Sequence, residues 1–398
     1  MRRKVPLFLI LSCLLLSLDS FASDKAGMSG APFLKIPIGA RMVGLGEAFT
    51  AVADDPYALS GNMAGLARNR DLEISFTHVE WLEGIAYEYL AFSKSFFKGF
   101  GGLNSSMGLA VNYLHAPEFF SYNDWGEVDG ASTFSDVAVT LGYAQNLGFL
   151  NAGMALRYVN EFSDYNADGA ISFNFGLLYD LKLPGFKVLG QDFIAREINF
   201  GFLLENWSMG SEIGGYGTAV LYKLGMAFKP YDNFLSTLEI QIPTDSRVRL
   251  NMGFEYALKN ILFCRFGYRF FGYEIDTYTM GLGTKFNISG KDVKLDVSFA
   301  PQADVGHSLN LSFSMKYPDR ISDDNRKLAN ILYYKGIYYY TRGELDKAIE
   351  MWRESLRMNP EQEQAQNKIL DAEKLKQLQN VEDKVKQKLI DEKRIPQK

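Results

Sequence analysis

Between Leu72 and Tyr317, apolar residues alternate with small or polar ones in about fourteen runs of roughly ten residues, each closed by turn residues. Met107, Leu109, Val111 and Tyr113 interleave with Gly108, Ala110 and Asn112, and Ile171, Phe173, Phe175, Leu177 and Tyr179 with Ser172, Asn174 and Gly176. Later runs keep the rule: Leu250, Met252, Phe254 and Tyr256 against Arg249, Asn251, Gly253 and Glu255, then Leu309, Leu311, Phe313, Met315 and Tyr317 against Asn310, Ser312, Ser314 and Lys316. Successive side chains of a strand point to opposite faces, so each run has one greasy face and one that is not. The pattern predicts a transmembrane antiparallel β-barrel of about fourteen strands over residues 71–318. A soluble sandwich is the competing architecture, and this many apolar outer faces would overfill its core.

A first strand leaving the periplasmic side near Asp71 makes the short connections Gln145–Leu150, Pro230–Asn233, Ala257–Asn260 and Ser289–Asp292 periplasmic. The longer ones, His115–Ser132 and Asn206–Gly217, become extracellular, and Lys182–Arg196 is a long exception on the periplasmic side. Tyr and Trp residues near the strand ends, among them Trp81, Tyr113, Trp207, Tyr256 and Tyr317, suit a membrane interface. Phe119, Phe120 and Trp125 sit in an outer connection, either as a landing patch for greasy ligands or folded inward.

Composition adds a lumen to this picture. Of 398 residues, 14% are aromatic and 36 are glycine, and the glycines alternate with bulky outward positions, leaving room inside for a plug or a ligand. Arg2, Arg3 and Lys4, the apolar run Val5–Leu18 and the small-x-small site Ser20-Phe21-Ala22 read as a signal peptide over residues 1–22. Beyond it Cys264 is the one cysteine, on the outward register, and the three histidines have no metal-ligand spacing. A net charge of −5 argues against nucleic acid. No catalytic grouping, cofactor or metal is expected.

After Pro318 the period changes from two to helical, with 16 Lys+Arg and 14 Asp+Glu between 321 and 398. Leu332, Gly336, Tyr339, Gly343, Ala348, Trp352 and Pro360 fit the roughly 34-residue tetratricopeptide (TPR) helix-turn-helix pattern, with Lys335 and Ser355 as departures. Gly336, Tyr339, Ala348, Trp352 and Pro360 are the expected packing positions of a TPR-like helical domain over 325–398. One repeat cannot bury its own face, so the helix Gln362–Glu392 should cap it through Leu370, Leu375, Leu378, Val385 and Leu389. An even-stranded barrel places this module in the periplasm, where it would bind a protein partner or act as a structural cap.

Residues 23–70, between signal and barrel, are small and glycine-punctuated, so they can approach a surrounding wall closely as a plug. The stretch Ile38–Asp55, with Gly39, Gly44, Gly46, Asp54 and Asp55, followed by Ala58–Ala67 with Asn62, Met63 and Ala64, resembles the N-terminal region of the PorV/PorQ and UPF0164 families, relatives of the FadL long-chain fatty acid transporters. The resemblance extends over about residues 31–318 and implies a fourteen-stranded barrel closed by an N-terminal hatch. Where that group carries Asn-Pro-Ala, this chain has Asn62, Met63 and Ala64, which leaves the hatch backbone less constrained. The helical C-terminus lies outside the core FadL pattern and resembles FadL-like proteins of spirochaetes.

Two functions follow. In the first, a bacterial outer-membrane barrel takes up hydrophobic compounds such as long-chain fatty acids, and a lumen cation holds the ionised head. Arg157, Lys223, Arg249, Arg265 and Arg269 are the inward cations by register, and Glu205, Glu239 and Glu255 are available to pair with them, so a lumen salt-bridge network competes with a ligand clamp. The expected partners are outer-membrane lipid, a fatty-acid-like small molecule and a periplasmic protein. In the second, the chain is a PorV-like secretion or cargo-shuttle protein.

Overall fold

A computed structural model describes residues 28–69, 71–96, 104–163, 166–181, 186–188, 191–193, 197–270, 277–302, 306–317, 320–359 and 362–392. The expected signal peptide 1–22 and Pro360 lie outside these. The chain forms two compact units, one through Tyr317 and the other beyond it.

The first unit is a closed antiparallel barrel of fourteen strands, each paired with its neighbour in sequence order. Its strands are Leu72–Glu80, Ala86–Phe96, Ser105–His115, Phe134–Asn146, Asn151–Ser163, Asn166–Leu181 and Glu197–Trp207. The second half comprises Leu221–Tyr231, Phe234–Pro243, Arg249–Leu258, Leu262–Phe270, Thr277–Ile288, Lys291–Pro301 and His307–Tyr317. Leu72 lies opposite Tyr317, so first and last strands seal the wall and leave no open edge. The rim holding Leu72 and Tyr317 is called terminal here, the opposite rim distal. The long connection 182–196 falls at the terminal rim and holds a short hairpin, Phe186–Val188 against Gln191–Phe193. Two further hairpins, Phe119–Tyr122 with Val128–Ser132 and Glu212–Ile213 with Tyr216–Gly217, stand at the distal rim.

The period-two pattern becomes two environments. Leu109, Leu141, Phe173, Leu224, Phe266 and Leu311 are exposed on the outer wall, while Ala110, Thr140, Ser172, Gly225 and Asn310 are buried inside. Cys264 is exposed on the outer wall. Trp81 differs from the interfacial anchor expected of it: it packs against the interior apolar cluster.

Residues 28–69 fill the bore. They enter at the distal rim, where the Gly30 amide donates to the Gly217 carbonyl at 3.1 Å. They leave at the terminal rim, where Asn69 Nδ2 donates to Glu73 at 2.9 Å. Between these ends run helix α1 (Ala40–Gly44) and 3₁₀ turns at Pro32–Lys35, Pro56–Leu59 and Met63–Arg68. Pro56 begins its turn with φ already set, and the Asp55 side chain caps it by accepting from the Tyr57 amide at 3.1 Å. The wall meets this segment with glycine. A Cβ on Gly176 would overlap the Asn62 side chain, one on Gly201 the Thr50 carbonyl, one on Gly253 the Leu45 carbonyl and one on Gly267 the Gly46 amide. On Gly153 it would stand 2.5 Å from the Ala64 nitrogen, and on Gly225 2.9 Å from the Ala51 nitrogen. The segment therefore lies backbone against backbone over strands from several sides of the barrel.

The second unit contains helices α2 (Arg320–Thr341), α3 (Leu345–Met358) and α4 (Glu363–Glu392). Trp352 is fully buried and its Nε1 donates to the Tyr333 carbonyl at 3.1 Å. A Cβ on Gly336 would overlap the Trp352 indole, so glycine is what lets α2 approach α3. Ser355 is buried and donates to the Ala329 carbonyl at 2.6 Å. Tyr339 and Ala348 join the same cluster. The expected cap by Leu370, Leu375 and Leu378 is corrected: all three are exposed, and α4 packs through Ala365, Ile369 and Ala372. Small residues at that spacing share one helical face and let α4 come close, which turns the leucines away. Val385 and Leu389 have no described side chains.

The glycine wall makes a test. In Gly201→Leu the added side chain displaces residues 49–52 from the wall. Limited trypsinolysis of the folded, heat-modifiable protein should then cut after Lys35 and Arg41, sites that stay protected in the native chain. Equal protection in both would refute the close backbone seating.

Candidate functional site

The lumen is organised by charge in three places along the segment. Midway, Arg41 on α1 is held by Glu255 through two bonds, Nε to Oε2 at 2.9 Å and Nη2 to Oε1 at 3.1 Å. Its Nη1 also reaches Asp54 and lies 3.3 Å from Asp55. Glu255 in turn accepts from Arg265 Nε at 2.6 Å, and Arg265 Nη1 donates to Asp296 at 2.6 Å. The inward acid Glu239 accepts the Thr50 amide at 2.8 Å, and Glu47 pairs with Arg269 at 3.0 Å. Apart from half-buried Asp54 these groups are largely buried and bound, so Arg269 ties wall to segment through Glu47, and Arg265 reaches the segment by way of Glu255 and Arg41.

Near the terminal rim, Asn62 is fully buried. Its Nδ2 donates to the carbonyls of Thr50 at 2.9 Å, Leu177 at 3.1 Å and Phe202 at 3.3 Å, and its Oδ1 accepts the Ala64 amide at 3.2 Å. Asn62 thus caps a 3₁₀ turn and pins it to two wall strands. Met63 begins that turn, and its side chain clusters with Ala155 and Leu203. Packing takes the place of a proline ring there. Arg68 donates to the Ala51 and Val52 carbonyls and pairs with Asp180. Gly39 and Gly46 have φ of 101° and 63°, left-handed values that favour glycine, and Gly44 lies against Gly281.

In the distal half, Arg157 donates to Thr140 Oγ1 at 3.0 Å, Asn206 Oδ1 at 2.7 Å and Glu205 Oε1 at 3.3 Å. Lys223 reaches the other oxygen of Glu205 at 3.2 Å. Arg157, Glu205, Asn206 and Lys223, with Lys35, Glu47 and Arg249, line a cavity of about 50 Å³, so its charged lining is four cations and two acids. Arg249 Nη2 donates to Ser246 at 3.4 Å. Of the five cations read from register, Arg157, Lys223 and Arg249 meet at this cavity, while Arg269 pairs with Glu47 of the segment and Arg265 with the wall acids Glu255 and Asp296.

Beside the cavity the distal mouth is apolar. Val79, Tyr87, Leu114, Ala138, Val159, Ala170 and Ile213 form one buried cluster with Ala31, Phe33 and Ile38 of the chain's own segment. Phe33 meets Tyr87 edge-on at 6.0 Å between ring centres. At the rim Ser29 donates to Asp245 at 2.6 Å, and Lys35 pairs with the same carboxylate. Burial raises the affinity of Asp245 for a proton, but the bonds from Lys35 and Ser29 outweigh it and hold the carboxyl below its usual range.

Outside the bore, Phe119, Phe120 and Trp125 are exposed, Trp125 at 87%, with Phe119 edge-on to Phe134. His78 pairs across strands with Glu88, at 2.6 Å, rather than with Glu80 of its own strand. Among the described residues no group of three or more His, Cys, Asp or Glu is placed to hold a metal ion. Lys35, Arg41 and Arg68 were not anticipated as lumen cations. They are the basic residues of a segment otherwise rich in small and apolar ones, facing a wall whose inward acids needed partners.

A family model described as "Uncharacterised protein family (UPF0164)" matches residues 19–122, which take in the bore-filling segment and the first three wall strands. No curated protein matches the sequence. Among solved structures, the Ralstonia pickettii toluene transporter TbuX is similar at 12% identity and a TM-score of 0.49, over 70% of this chain and 97% of that one. A TodX mutant, a monoaromatic hydrocarbon channel, is similar at 14% identity and a TM-score of 0.46, over 71% and 99%. A Rhodopseudomonas blastica porin triple mutant is similar at 10% identity and a TM-score of 0.33, over 62% and 99%.

Two outcomes follow from this charge arrangement. Arg41→Ala leaves Asp55 and Glu255 buried, and Asp54 half-buried, with one cation fewer, and denaturant unfolding in detergent should show a loss of about 3–5 kcal/mol. Lys285→Ala, which breaks the half-exposed pair with Asp292 at 2.8 Å, should stay within about 1 kcal/mol. For Asp245, whose carboxyl is depressed, the tether is present at neutral pH and is lost as pH falls below the usual value of about 3.9. A spin label at Met28 should gain mobility over that acid range, and in Asp245→Asn should be mobile already at pH 7.

Proposed function

We propose that this chain is a bacterial outer-membrane barrel that takes up hydrophobic compounds carrying one ionised end, fatty acids being the model ligand. Residues 23–70 act as its hatch, the distal rim faces outside, and residues 325–398 form a TPR-like module that binds a protein in the periplasm. The observation that carries this reading is the distal mouth, where the chain's own Ala31, Phe33 and Ile38 occupy an apolar site beside a cavity lined by Lys35, Arg157, Lys223 and Arg249. A tail-and-head amphiphile asks for that juxtaposition: apolar walls for the tail, and a cation for the head by a charge-assisted hydrogen bond.

The cavity of about 50 Å³ is far below the roughly 300–1,000 Å³ of ordinary ligand sites. Ligand and residues 31–38 therefore compete for the mouth. Burying a phenylalanine side chain is worth about 1.5–3 kcal/mol, so Phe33 sets much of the barrier a ligand must overcome. The alternative, a PorV-like cargo protein, draws on a different observation. The hairpin Phe119–Tyr122 and Val128–Ser132 offers exposed Phe120, Tyr122, Trp125 and Val128 at the distal rim, outside the filled bore.

The test is titration of the purified protein with 11-(dansylamino)undecanoic acid. Saturable binding is expected, about tenfold tighter in Phe33→Ala and weaker in Lys223→Gln, with heat-modifiable migration reporting an intact barrel. Absence of saturable binding in both native and Phe33→Ala protein ends the uptake reading. A secreted polypeptide retained through the aromatic hairpin would support the alternative.

A further inference from the structure

Helix α2 has two faces. One, through Ala329, Tyr333, Gly336, Ile337 and Tyr340, packs into the helical unit. The other exposes Leu328, Ile331, Tyr334 and Tyr338, with Tyr334 at 70%, a spacing of three to four residues that sets them in one stripe. Exposed Lys327, Lys335 and Arg342 flank that stripe, and Arg342 lies over the Tyr338 ring at 5.1 Å. From Asn325 to Thr341 the helix has no Asp or Glu; Asp323 and Asp324 precede that stretch, and Glu344, 3.9 Å from Arg342, follows it. The sequence passes from Tyr317, the last residue of the barrel wall, to the start of α2 at Arg320 within three residues.

We infer that this face of α2 docks on an anionic phospholipid surface. The inference rests on the reading of the barrel as membrane-spanning. Tyrosine rings and aliphatic side chains enter the interface while flanking Lys and Arg stay at the headgroup level, the arrangement of interfacial helices. Juxtamembrane cations gain from anionic headgroups, and the acids of α2, Asp323 and Asp324, lie near its start, before the stripe begins at Leu328. Two features choose lipid over a protein partner. The stripe is a convex helix surface rather than a groove, and exposed cations flank it along the helix.

The test uses the full chain with Cys264→Ser in nanodiscs carrying doxyl-labelled lipid, with NBD placed in turn at Leu141→Cys, Tyr334→Cys and Glu350→Cys. Leu141 is exposed on the outer wall and Glu350 is exposed on α3, so they report barrel insertion and a face not expected to meet lipid. In discs of phosphatidylethanolamine and phosphatidylglycerol, position 334 should be quenched at least twofold more than position 350. The difference should vanish in pure phosphatidylcholine or with Lys335→Glu and Arg342→Glu together. Position 141 quenched with 334 unquenched in the anionic discs overturns the docking and leaves the barrel reading standing. Position 141 unquenched overturns both. A change at 334 that needs added polyglutamate rather than lipid assigns the face to an acidic polypeptide and likewise overturns the proposal.

Discussion

Where Gly153, Gly201, Gly253 and Gly267 face the bore, main chain meets main chain, and at Gly176 the wall makes room for the Asn62 side chain. Everything inside depends on that close approach. It lets the Thr50 amide reach Glu239 and brings Asn62 within range of two wall carbonyls. It also explains why the wall glycines alternate with large outward residues. The outer face must present apolar bulk, while the inner face must present almost nothing where the segment crosses it.

Close approach removes water, so every charge carried into the bore needs a partner. The chain from Asp54 and Asp55 through Arg41, Glu255 and Arg265 to Asp296 satisfies this by sharing: each cation serves more than one acid. Buried ion pairs add little net stability over apolar packing, but breaking one partner is costly. The network therefore fixes register. With Arg41 bound to Glu255, α1 cannot slide along the wall without stranding a charge. The distal cavity follows another rule, since its lining has more cations than acids and lies beside the apolar mouth.

The alternation from Leu72 to Tyr317 was legible because a barrel wall between two unlike media imposes period two on every strand. The inward placement of Arg157, Lys223, Arg249, Arg265 and Arg269 followed from the same rule. Their partners did not, because register assigns a face and not a neighbour across the bore. Arg41 was in plain view within the glycine-punctuated stretch, but its role depends on how the segment threads, which local pattern does not encode. The failure at α4 has a similar source. Leu370, Leu375 and Leu378 look like a packing stripe, yet Ala365 and Ala372 define the face that approaches α3, since close packing selects small residues as readily as large ones. Ser355 looked like a departure from the repeat, and its buried bond to the Ala329 carbonyl gives it a reason.

The segment runs the length of the bore and continues directly into the first strand, which pairs with the last. A thread in this position cannot easily be pushed through a closed wall afterwards, because the glycines leave no slack around it. The close fit favours an order of assembly in which residues 28–69 lie among the strands before Leu72 meets Tyr317. In that order they act as a mandrel on which the sheet is wound, and the seam between first and last strands is the stitch that closes over it.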